Sequence, residues 1–177
     1  AYRRQRQMCI RDSACAERIA CYITTHRDSY DIVVTTQDWH IDPGDHFSSN
    51  PDFVDSWPPH GVAGTDEAEI HPAVAEIPVD AHVKKGQYAA AYSGFEGTTK
   101  GGSSLETILR DHRIEAVDVV GLALSHCVKD TALDAQHLGF TTTCLTDLSE
   151  PVSLESGEAA VAAMEDAGVT VTTSSQL

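Results

Sequence analysis

Asp38, Trp39 and His40 stand side by side in this chain of 177 residues, with His46 and His60 following downstream. One carboxylate and several imidazoles are a donor set suited to a borderline divalent ion such as zinc, manganese or iron. Asp38 and His40 lie at the end of a β-branched run, where the two-residue period of a strand points both side chains the same way. Asp38, His40 and His60 would supply three ligands, with His46 as a fourth or as a neighbour of the ligands. Spacing alone also fits a polar loop that happens to carry histidines. A metal is favoured because it would organise a segment with too little apolar content to pack by itself.

The second constellation is Gly121-Leu-Ala-Leu-Ser-His-Cys127, where an apolar run passes into a helical pattern with the cysteine at the junction. Such a thiol sits at the carboxyl edge of a parallel sheet, where open α/β sheets place their sites. A helix N-terminus favours thiolate, and main-chain N–H groups at the same turn can hold an oxyanion. On position alone a buried structural cysteine is the commoner outcome. Cys144, in mid-strand, reads as that kind. A thiolate engaged in acyl transfer needs a cation nearby. Lys85, ahead of Gly86 at the end of a short predicted strand, can supply one, although a solvated surface position is the usual fate of a lysine.

The elements that must position these residues follow from periodicity. Ala14 to about His26 predicts a helix, and residues 30–36 a buried strand. From Gln37 to about Pro78 the chain is rich in Pro, Gly, His and Asp, a loop long enough to expect a function of it. Residues 81–85 predict a short strand, 94–102 a glycine-rich surface stretch, and Ser103-Ser-Leu-Glu a capped helix start. Beyond that, strand (117–124), helix (126–137), strand (140–145), helix (154–167) and strand (169–173) alternate. That order predicts a parallel sheet with helices on both faces, an α/β protein.

Composition bounds the function. With 27 acidic and 12 basic residues the net charge is -15, which disfavours nucleic acid or anionic lipid as the main partner. Apolar residues at 41% suit one globular domain. No stretch approaches the roughly 18 apolar residues of a membrane span. The cysteines Cys9, Cys15, Cys21, Cys127 and Cys144 are scattered without a CxxC pair, which points to a reducing cytoplasm. Residues 1–13 differ from the rest: Arg3, Arg4, Arg6 and Arg11 accompany a single acid, Asp12. They read either as a basic arm or as a foreign segment, since Met-Cys-Ile-Arg-Asp-Ser resembles the translation of a sequencing adapter. The expectation is a foreign or disordered 1–13 followed by a domain over 14–177.

DWHIDPGDHF with WPPH, KG with YSGFEG, and VVGLALSHCV together resemble the nicotinamidases (pyrazinamidases) of the isochorismatase-like cysteine hydrolases, over nearly everything from Ala14 onward. The resemblance implies a three-layer αβα sandwich with a mainly parallel sheet. It also implies hydrolysis of nicotinamide to nicotinate and ammonia in NAD salvage. Cys127 would be the nucleophile forming a thioester and Lys85 the triad cation. Asp38, His40, His60 and less firmly His46 would bind a divalent zinc, iron or manganese that holds the pyridine nitrogen. Trp57, Tyr92 and His126 match positions that wall the ring. The amides of Ala123 and Cys127 match the oxyanion hole, beside a Leu122–Ala123 peptide bond that is cis in relatives. The only partner implied is the small-molecule substrate, for a monomer or a homo-oligomer.

The family begins with a strand ending in an Asp-x-Gln-x-Asp-Phe-type motif whose first aspartate is the general acid/base. Neither is found here, so the expectation is a domain incomplete at its N-terminus, its first central strand missing. Two alternatives stand beside the nicotinamidase. One is a catalytically dead metal-binding fragment of it, and the other a related isochorismatase or carbamoyl-amide hydrolase.

Overall fold

Apolar residues at helical spacing, Cys15, Ile19, Tyr22 and Ile23, give α1 (Tyr2–His26) a stripe that packs against Leu145, Leu148, Val74 and Val120. The computed structural model describes the backbone of residues 2–53 and 55–177, and side chains among these from Arg11 onward. The helix expected from Ala14 begins upstream, at Tyr2. The side chains of Arg3, Arg4, Arg6 and Cys9 lie outside the described residues. Arg18 ties α1 down through the Asp147 carbonyl (3.0 Å) and the Glu150 carboxylate (2.9 Å).

The chain divides into two compact units. The first holds Ala1–Asp31, His71–Pro78 and Arg113–Leu177, and so contains α1 and the short α2 (Pro72–Ala75). Its sheet has β3 (Ala116–Leu122), β4 (Thr141–Glu150) and β5 (Thr170–Thr172) in that order, all parallel. The connections are α4 (Lys129–His137) and α5 (Leu154–Asp166). Leu124, Val128 and Ala132, spaced by four, meet Cys144, Met164 and Val169 in its core. Cys144 is fully buried, as its mid-strand position predicts, and burial pushes its thiol up to about 12.

Two boundaries differ from expectation. β4 continues past Leu145 to Glu150, through residues too polar to read as strand. Their polar groups are satisfied locally: Asp147 accepts from the Ser174 main chain and hydroxyl, and Ser149 donates to the Leu145 carbonyl (3.0 Å). β3 ends earlier, at Leu122; its register with β4 slips between Val119 and Gly121, and pairing resumes through Leu122. Gly121 has φ +130, a backbone region that side chains with a Cβ rarely adopt. Such a bulge re-aims the strand end.

The second unit holds Ile32–Ile70 and Val79–His112. Here β1 (Val34–Asp38) pairs in parallel with β2 (Ala81–Lys85), the latter with the expected bounds. α3 (Leu105–Asp111) follows, its start capped by Ser104, whose hydroxyl accepts from Thr107 N–H at 3.1 Å. The strand expected over 30–36 thus lies later. Among the described residues the strands form two parallel ladders rather than one continuous sheet. Gly94 and Gly97 are buried, so the glycine-rich stretch is not all surface; a Cβ on Gly97 would lie 2.7 Å from the Lys84 carbonyl oxygen.

Candidate functional site

The parallel register of β1 and β2 sets their last residues, Asp38 and Lys85, directly opposite each other. Lys85 is 3% exposed, far from the surface position usual for a lysine. Its Nζ donates to Asp38 Oδ1 at 2.5 Å and to the Ala91 carbonyl at 3.1 Å. A buried ammonium needs such partners to remain charged.

Beyond Asp38 the long loop is pinned by main-chain bonds. His40 N–H donates to the Gly61 carbonyl (2.9 Å) and Ala63 N–H to the His40 carbonyl (2.8 Å). Trp57 N–H donates to the His46 carbonyl (2.8 Å), and Ser48 N–H to the Trp57 carbonyl (2.9 Å). These contacts bring His40, His46 and His60 together, with one ligand atom of each within 4.8 Å of the others. Ring centroids lie 5.0 to 5.3 Å apart.

All three imidazoles share one orientation. Nδ1 of His40 faces the Gly86 carbonyl at 2.6 Å, Nδ1 of His46 the Asp55 carbonyl at 3.0 Å, and Nδ1 of His60 the Pro58 carbonyl at 2.8 Å. A carbonyl oxygen only accepts, so each Nδ1 carries the proton and each neutral ring keeps its lone pair on Nε2. Nε2 of His40 is buried without a hydrogen-bond partner. Burial also holds the His40 imidazole below its ordinary pKa, which favours the neutral, ligating form. Three Nε2 lone pairs, one of them orphaned, with a carboxylate 4.0 Å from that orphan, fit a divalent ion.

Sequence reasoning missed two contributors. Phe47 sits against all three imidazoles at centroid distances of 5.2 to 6.0 Å and supplies the apolar wall of the cluster. Gly86, at φ +70, allows His40 its place: a Cβ there would lie 2.5 Å from His40 Cε1. Trp57 and Tyr92, expected to face a ring, are joined through Trp57 Nε1–H and the Tyr92 hydroxyl (2.8 Å). Both border the cluster, Trp57 at 6.4 Å from His60 and Tyr92 at 5.8 Å from His46. The Glu96 carboxylate accepts from the N–H groups of Tyr92 and Ser93 at 2.9 Å each and holds that turn.

The remaining expected residues belong to the first unit. After the Leu122–Ala123 peptide, which is cis, the chain makes a wide π-type turn over Leu124–Val128 before α4. The cysteine expected at a strand–helix junction is therefore inside an extra turn between them. Inserted turns of this kind are frequent at functional sites. The Ala123 carbonyl accepts from His126 N–H (3.0 Å) and Val128 N–H (3.2 Å), which closes the turn around Cys127. Cys127 is half-buried. His126 Nδ1 lies 2.9 Å from the Ser125 hydroxyl, which also accepts from Val152 N–H at 3.2 Å. Burial lowers the His126 pKa, and the Lys129 ammonium acts in the same direction.

A model of the isochorismatase domain matches residues 4–176. The chain belongs to the isochorismatase family. Among curated members it is 45% identical over 163 residues to the nicotinamidase/pyrazinamidase of Mycobacterium tuberculosis, covering 92% of this chain and 87% of that protein. The structure of the pyrazinamidase of Pyrococcus horikoshii in complex with zinc has a TM-score of 0.77 and 30% identity, covering 92% of this chain and 86% of that one. The L. infantum protein PnC1, solved in complex with nicotinate, has a TM-score of 0.68 and 34% identity, covering 80% and 71% of the two chains. The α/β fold with parallel strands is that of the isochorismatase family.

Proposed function

We propose that the chain is a nicotinamidase, an amidohydrolase that converts nicotinamide to nicotinate and ammonia. The observation that carries the reading is the set of imidazoles His40, His46 and His60, each with Nδ1 committed to a carbonyl, beside the buried Lys85–Asp38 pair. Likeness to proteins named for that activity supports the substrate.

In the first unit, Cys127 is the nucleophile. Its sulfur attacks the carboxamide carbon, and the main-chain N–H groups of Ala123 and Cys127 receive the oxygen that becomes negative. The proton lost by the thiol passes to the amide nitrogen, and collapse then expels ammonia and leaves a thioester on Cys127. Water then hydrolyses the thioester to the carboxylate and restores the thiol. His126 lines the aromatic ring of the substrate.

In the second unit, Lys85 supplies the positive charge of the catalytic group. His40, His46, His60 and Asp38 would hold a divalent metal, and Trp57 and Tyr92 wall the ring. The metal, when bound, supplies a Lewis-acidic point for the pyridine nitrogen and so orients the ring. The product leaves as nicotinate, the acid used in NAD salvage.

Ammonia release measured with nicotinamide on the zinc-, iron- or manganese-loaded protein tests this. Ammonia release by the unaltered chain should vanish in Cys127→Ala, and no release at all would favour the metal-binding fragment without activity. Turnover of isochorismate or a carbamoyl amide with none of nicotinamide would overturn the assignment.

A further inference from the structure

One oxygen atom in the second unit faces two cation positions. Oδ1 of Asp38 accepts from Lys85 Nζ at 2.5 Å, and the same Oδ1 lies 4.0 Å from the orphaned Nε2 of His40. Lys85 is fixed from the other side by the Ala91 carbonyl, and its backbone by the ladder register with Asp38. We propose that Lys85 sets the metal affinity of the histidine cluster by competing with the ion for Oδ1 of Asp38. The inference rests on reading the cluster as a metal centre, though not on the identity of the substrate.

The physical basis is charge and lone-pair allocation. A carboxylate oxygen engaged by an ammonium is a weaker donor to a second cation. Full ligation by Oδ1 has to loosen a buried ion pair whose lysine also donates to the Ala91 carbonyl. Lys85 thereby keeps the site from holding its ion as tightly as the same donors would alone. It acts on the metal as a positioning residue, through Asp38.

Zinc titration into the metal-stripped full chain, read by competition with a chromophoric chelator, tests this on four proteins. They are the unaltered chain, Lys85→Met, Asp38→Asn and the double variant. Methionine replaces the aliphatic stem at a buried position without the charge. Lys85→Met should bind zinc about 10-fold more tightly than the unaltered chain, or better. In the Asp38→Asn background the same change should shift affinity by less than about 2-fold, since the shared oxygen is gone. Equal or weaker binding by Lys85→Met overturns the proposal. Equal tightening in both backgrounds also overturns it, because repulsion through space would then account for the whole effect. Absence of zinc binding by the unaltered chain would overturn the metal reading and this one together. Circular dichroism checks the fold of each variant, and Lys85→Gln carries the same expectation if Lys85→Met does not fold.

Discussion

His40 donates its Nδ1–H to the carbonyl of Gly86 at 2.6 Å, which joins the metal-candidate loop to the end of β2 one residue past Lys85. The contact decides the tautomer of the most buried ring in the cluster and turns its free lone pair toward His46 and His60. It also places the chemistry of two separate sequence segments in one arrangement. Lys85 reaches Asp38 from β2, and the next residue on the same strand end orients His40.

Gly86→Ala should therefore damage the cluster without touching a ligand. The added Cβ would lie 2.5 Å from Cε1 and 2.7 Å from Nδ1 of His40, and the backbone at φ +70 is itself unfavourable to alanine. Zinc affinity is expected to fall about 10-fold or more, while far-ultraviolet circular dichroism stays that of the unaltered chain. Unchanged affinity would show that the His40 ring can yield to the added Cβ without leaving the cluster.

Metal and stability should be linked in the second unit. Ligands gathered from positions 40, 46 and 60 are close together only in the folded chain, so the ion binds the native state and raises its melting temperature. At free zinc 100 times the dissociation constant the gain is about 2.7 kcal/mol. Calorimetric scans with zinc and with a chelator should differ accordingly, and His60→Ala should remove most of the difference. Superimposable scans would count against the cluster as a metal centre.

Much of this was legible in the sequence, and the exceptions have physical causes. Asp38, His40, His46 and His60 were readable because no packed core needs that many polar side chains in one stretch. β2 was readable only from Ala81 and Val83 in alternation ahead of Gly86. The second half of β4 was not, since Thr146, Asp147 and Ser149 are satisfied by partners distant in sequence or by local carbonyls, which no periodicity reveals. The turn over Leu124–Val128 was hidden for a related reason: its apolar spacing continues that of α4, and only the backbone shows the extra residue. Burial of Lys85 depended on the register of two strands far apart in the chain. Gly86 and Phe47 act through close approach, which a linear pattern does not display.

The cysteines should separate cleanly in a labelling experiment. Burial raises the thiol of Cys15 to about 11 and that of Cys144 to about 12, and both side chains are fully enclosed. Cys21 is exposed and Cys127 half-buried. At pH 7.5 a small alkylating reagent should modify Cys21 and Cys127 within minutes and leave Cys15 and Cys144 intact until denaturant is added. Peptide mapping by mass spectrometry distinguishes these four from one another and from Cys9, whose side chain lies outside the described residues. Only the adduct on Cys127 should abolish ammonia release, and a Cys21→Ser variant should keep normal turnover before labelling and lose it on alkylation. Loss of activity that tracks Cys21 instead would contradict the assignment of the nucleophile.

Acid sensitivity should have a component from His126. Burial, first, and the Lys129 ammonium, second, depress its folded-state pKa below the ordinary value of 6.5. In the unfolded chain the ring takes up a proton near 6.5, while in the folded chain it does so only at lower pH. Between those two values the unfolded state binds more protons, so stability is fully present above 6.5, declines as pH falls, and has lost this contribution once pH passes below the folded value. Urea midpoints measured at pH 7.5 and pH 5 should therefore differ more for the unaltered chain than for His126→Asn, which has no proton to gain. Other groups, His40 among them, contribute equally to both proteins and cancel in the comparison. The same difference in both proteins would mean that His126 is protonated as readily in the folded chain as in the unfolded one, and that its environment is wetter than the contacts with Ser125 imply.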